Sequence, residues 1–129
     1  MSSAEGLPLA RGREEVRAAR ALLEAGFPSQ AVSHAYMAGF QAATAALEAI
    51  GETPATPTGV LSAFVRHVVG DGGLDHEDGR ILRKLFEDRN DVDHALVRAP
   101  PEEAGAAIAS AERLVDVTAQ WIERRPETS

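Results

Sequence analysis

The chain has 129 residues, with 13 basic and 20 acidic side chains, a formal net charge of −7 and no cysteine. That length suits one domain burying about two-thirds of its unfolded surface; the absent cysteines exclude disulfides, thiolate metal sites and a cysteine nucleophile, and the acidic balance argues against a wide basic face that coats DNA or RNA. No run approaches the ~20 apolar residues that span a bilayer, and MSSAEGLPLARGREE lacks the apolar core of a signal peptide, so a soluble cytoplasmic domain without a membrane partner is expected.

Residues 1–10 carry no hydrophobic period and are expected to fray, leaving a bundle over residues 11–125. A first helix is predicted over Gly12–Ala25, with Val16, Ala19 and Leu23 on one face and Gly26 as its stop. Phe27-Pro28-Ser29 then makes a corner in which Ser29 is the expected cap. The second helix, Gln30–Ile50, is apolar around most of its circumference, which marks a central helix. Its polar exceptions, Gln30, His34, Gln41, Thr44 and Glu48, fall on one narrow stripe that faces water, a cleft or a second subunit.

Gly51 to Pro57 reads as a loop. Thr58 is the expected cap of a third helix whose stripe is Val60, Leu61, Phe64, Val65 and Val68. Gly70-Asp71-Gly72-Gly73 breaks the chain, and Asp75 with Asp78 resembles a capping pair. The fourth helix carries Ile81, Leu82, Leu85, Phe86, Val92 and Leu96. Pro101 suits a first helical position, with Glu102 and Glu103 at the positive dipole end. The fifth helix has the cleanest period, from Ala104 to Ile122, and ends on Arg124 and Arg125. Tyr36 and Trp121 are expected in the core. Nothing alternates like a strand. The fold class is therefore all-α, an antiparallel up-and-down bundle of four main helices plus one additional helix.

The four histidines, His34, His67, His76 and His94, include no i, i+4 pair, and the acidic turn 71–78 lacks the alternating ligands of a calcium loop. No metal or other cofactor is expected. The glycine turn follows no strand, so it is not a phosphate-cradling loop. One segment concentrates polar chemistry: Arg80, Arg83 and Lys84, then Arg89-Asn90-Asp91-Val92-Asp93-His94. On an ideal helix Asn90 and His94 share a face, whereas Arg89 stands about 140° from His94 and directly above Asp93. Spacing alone favours an ordinary Arg89–Asp93 ion pair and an exposed His94.

Three stretches in order alter that reading. Ser33-His34-Ala35-Tyr36-Met37-Ala38-Gly39-Phe40-Gln41-Ala42-Ala43, then Thr58-Gly59-Val60 with Phe64, then Arg89-Asn90-Asp91-Val92-Asp93-His94 together resemble the HEPN domain family over about Val16 to Ile122. The family is a small helical domain often encoded beside minimal nucleotidyltransferases. The resemblance implies a metal-independent endoribonuclease whose site is completed across a two-fold homodimer, acting as the toxin partner of a nucleotidyltransferase antitoxin. His94 would be its acid/base at the ribose 2′-hydroxyl, near neutral pH where imidazole exchanges protons. Arg89 would hold the scissile phosphate, and Asn90 would orient His94 or bind a phosphate oxygen. Arg80, Arg83 and Lys84 would bind flanking phosphates of the RNA, or form a solvated face countered by Glu87 and Asp88. The alternative is a non-catalytic dimeric module that presents substrate or nucleotide to a partner nucleotidyltransferase.

Overall fold

The computed structural model describes residues 6–94 and 98–125, the side chain of His94 excepted; the expectations for residues 1–5 and for Leu96 lie outside the described residues. Five helices follow one another: α1 Leu7–Glu24, α2 Pro28–Ala49, α3 Pro57–His67, α4 His76–His94 and α5 Pro101–Arg124. A 3-10 turn, Gly70–Gly72, links α3 to α4. Among the described residues there is no strand, only an isolated bridge between Val69 and Leu74. None of these helices is long and apolar enough to cross a membrane.

α2 is central because its sequence lets neighbours approach on every side. It packs against each of the other four helices. Ala31, Ala35, Ala38, Ala42, Ala43 and Ala46 are fully buried, and such small side chains bring the surrounding backbones close. α1 and α4 both run antiparallel to α2, while α5 lies antiparallel to α1. Arg13 reaches Asp116 at 3.0 Å, and a full two turns later Arg20 reaches back to Glu112, so the two helices run in opposite directions. Phe64, Leu47, Leu82, Leu85 and Leu114 are the largest fully buried apolar side chains. Each contributes roughly 1.5–3 kcal/mol through burial.

Four local expectations change. α1 begins at Leu7, inside the stretch expected to fray, because Leu9 is buried and anchors an extra turn. Ser29 is not a cap: Pro28 takes the first helical position, and the Ser29 hydroxyl instead accepts from the Ala99 backbone N–H at 3.0 Å, tying the corner before α5 to the start of α2. α3 is capped by Thr56 rather than Thr58, its hydroxyl accepting from the Gly59 N–H at 2.9 Å. Asp78 points away from the helix end. It is almost fully buried, and its carboxylate accepts from Arg113 Nε of α5 at 3.1 Å, so it joins two helices.

The turn between α3 and α4 admits only glycine at position 72. A Cβ there would stand 2.2 Å from the His67 carbonyl oxygen. The Gly72 carbonyl in turn accepts from the Trp121 indole N–H at 2.7 Å, which locks the turn to α5.

Candidate functional site

The antiparallel register of α2 and α4 decides what surrounds Arg89. Three pairs mark it: Ser33 with Asp93, Met37 with Arg89, and Tyr36 with Phe86. Arg89 donates from Nε to Asp93 Oδ2 at 2.8 Å, the i, i+4 ion pair read from its spacing. Its Nη1 points at Met37 Sδ, 3.7 Å away, and its guanidinium lies 4.8 Å from the centre of the Tyr36 ring. Ser33 Oγ stands 3.4 Å from Asp93 Oδ1. Carboxylate, sulfur and ring thus fix the direction of one cation, whose side chain is still 38% exposed.

Tyr36 is core and site at once. It is buried among Phe40 and Phe86, at ring distances of 5.9 and 5.6 Å. Burial pushes its phenol above the ordinary value, and the Arg89 charge offsets part of that rise. The ring therefore stays neutral in the physiological range and presents its face to the guanidinium, a favourable position for a cation.

The polar stripe of α2 opens beside this cluster. His34 Nδ1 lies 2.6 Å from Glu15 Oε1 of α1, and both side chains are partly exposed. Ser33, His34, Met37 and Gln41 are half-buried along the edge between α1 and α4. One accessible face thus carries Glu15, His34, Arg89 and Asp93.

The remaining expected site residues are spread around α4. Asn90 is exposed and about 100° round the helix from Arg89; among the described residues no hydrogen bond joins the two. Arg80 pairs with Glu77 at 3.2 Å. Lys84 pairs with the buried Asp88 at 2.7 Å, a hydrogen bond that raises the lysine's pKa. Arg83 is exposed. Helical geometry sets these three about 120–180° from Arg89. The backbone of His94 occupies the last position of α4, and its side chain lies outside the described residues. Among the described residues no three His, Asp or Glu side chains group to hold a metal ion.

The structure therefore brings Arg89 together with Asp93, as spacing foretold, and adds Tyr36, Met37 and Ser33. Those additions had no local signal. They come from another helix, and only the α2–α4 register delivers them.

A family model described as the HEPN domain matches residues 8–121. A Methanocaldococcus jannaschii protein, named as a candidate toxin, is 33% identical over 103 residues, which cover 80% of this chain and 77% of that protein. A UPF0332 protein of Thermotoga maritima is 33% identical over 114 residues, covering 88% of this chain and 86% of that protein.

Proposed function

The chain belongs to the HEPN family, and from that membership we propose that it is a toxin-type endoribonuclease working as a homodimer, with Arg89 and His94 as its catalytic pair. The observation that carries this reading is the fixed guanidinium of Arg89, five positions before His94 on α4 and directed by Asp93 and Tyr36 onto the accessible edge of α2. A partly exposed, pre-oriented fork of donors suits a phosphodiester.

In the proposed reaction the imidazole of His94 takes the proton of a ribose 2′-hydroxyl. The 2′ oxygen attacks the adjacent phosphorus, the bond to the 5′ oxygen breaks, and that oxygen leaves with a returned proton. The products are a 2′,3′-cyclic phosphate and a 5′-hydroxyl. Arg89 stabilises charge growing on the phosphate oxygens. Asn90 orients His94 or takes a phosphate oxygen, and Arg83, exposed on α4, engages a flanking phosphate alongside Arg80 and Lys84. Five helical positions separate Arg89 from His94 by about 140°, so two copies related by a two-fold axis supply what one helix face does not. This chemistry needs no metal ion, and the partner in the cell is a nucleotidyltransferase antitoxin.

Purified protein incubated with bulk RNA in EDTA tests the reading. Wild type cleaves, and His94→Ala and Arg89→Ala do not; absence of cleavage by the wild type across several pH values defeats it. The occupation of Arg89 by Asp93 supports a second reading, a non-catalytic module that presents substrate or nucleotide to the nucleotidyltransferase. That reading expects growth inhibition on expression to be unchanged by Arg89→Ala.

A further inference from the structure

Toward the other end of α4, about 17 Å along the helix axis from Arg89, a cleft of about 480 Å3 opens between the glycine turn and the C-terminal half of α5. Its floor is built rather than incidental. The Trp121 indole N–H is held by the Gly72 carbonyl at 2.7 Å, and a Cβ on Gly73 would come within 2.9 Å of that same nitrogen. The guanidinium of Arg125 lies 4.8 Å over the Trp121 ring.

The charges at this cleft do not cancel. Its two carboxylates belong to Arg113: Asp78 accepts from Nε at 3.1 Å, and Asp75 stands 4.0 Å from the same guanidinium. Arg124 and Arg125 line the same cleft. Among the described residues neither has a carboxylate within ion-pair distance. Three guanidinium groups against two carboxylates leave this cleft a net charge of +1, in a chain whose net charge is −7.

We propose that this cleft is a second binding site, for a nucleoside phosphate, with the phosphate on Arg124 and Arg125 and the base on the outer face of the Arg125–Trp121 stack. Guanidinium forks match phosphate oxygens in pairs, and an arginine plane stacks with a nucleobase as an aromatic ring does. A guanidinium already laid over an indole loses little freedom when a ligand arrives, which lowers the cost of binding. Both cations lie beyond residues 8–121 that match the family, while Trp121 and the glycine turn lie within them. It does not depend on the ribonuclease reading. The nucleoside phosphate comes either as a free nucleotide or as part of an RNA strand.

Trp121 is the only tryptophan of the chain, so its emission reports this cleft directly. The experiment titrates the full chain with ATP and, separately, with a twelve-nucleotide RNA whose 2′-hydroxyls are methylated against cleavage, following Trp121 emission and running equilibrium dialysis in parallel. A saturable signal with ATP identifies the free nucleotide as the source, and saturation with RNA alone identifies the strand. In either case Arg124→Glu raises the Kd about tenfold or more, while the control Arg66→Glu keeps the wild-type midpoint. Arg124 is exposed, so its variant stays folded, its Tm lowered by no more than a few degrees through the reversed charge at the end of α5. The proposal is overturned if neither ligand binds by dialysis up to millimolar concentration, or if Arg124→Glu and Arg125→Gln both bind as wild type does.

Discussion

Two arginines of this chain lie over aromatic rings at the same 4.8 Å, Arg89 over Tyr36 and Arg125 over Trp121, and everything around them differs. Arg89 stands between two packed helices, and Asp93 takes its Nε. Arg125 stands just past the end of α5, among the described residues without a carboxylate. The stack is common to both, so it does not set the role. The neighbouring acid is what distinguishes them. A guanidinium with a fixed carboxylate is aimed, and its charge is offset by that acid. One with only a ring beneath it keeps its full charge.

The largest expected effect separates the two regions by activity. His94→Ala and Arg89→Ala each lower RNA cleavage by about 10²–10⁴, measured with a labelled oligonucleotide in EDTA, while the Trp121 cleft still binds its ligand. Equal loss of cleavage and of the Trp121 signal would break the separation.

Next in size is Gly72→Ala, which drives a methyl into the His67 carbonyl and unseats the turn beneath Trp121. Urea unfolding followed by Trp121 emission should show a loss of about 3 kcal/mol. A loss below about 0.5 kcal/mol would mean that the turn is not clamped.

Asp93→Ala acts on aim rather than charge. The pair is about one-third exposed, so stability falls by less than about 1 kcal/mol. The rate of RNA cleavage falls about tenfold with little change in KM, because Arg89 loses its direction and not its charge. A faster variant would show that Asp93 restrains the site instead.

The smallest effect is alkaline. Tyr36 has its pKa raised, chiefly by burial, so the folded chain holds the phenolic proton longer than the unfolded chain does. The stability it contributes is complete below its ordinary value of 10.0 and is lost as pH rises beyond it. Lys84, also raised by its hydrogen bond to Asp88, weakens in the same direction above its ordinary 10.5. Tyr36→Phe therefore flattens the alkaline slope of Tm without abolishing it. Tyr36 is the only tyrosine, so phenolate absorbance follows its titration directly.

Most of the helix pattern was legible in the residues, down to Pro101 opening α5 and the apolar circumference that puts α2 in the centre. The caps misread had a signal that was present. Proline favours the first helical position, so Thr56 before Pro57 and the corner before Pro28 already excluded Thr58 and Ser29 as caps. Asp78 had none. Its local setting is that of a capping carboxylate, and only the approach of Arg113, 35 positions later, turns it inward. At the candidate site the Arg89–Asp93 pair was readable because i, i+4 partners meet on any helix.

Periodicity by itself settled that this chain is a stack of amphipathic helices with Arg89 above Asp93, since both follow from 3.6 residues per turn. Tertiary packing alone placed Tyr36 and Met37 against Arg89 and laid the glycine turn over Trp121. Those meetings depend on how far one helix slides along another, and that slide is set by the fit of side chains such as Leu85 against Gly39, which no single segment encodes.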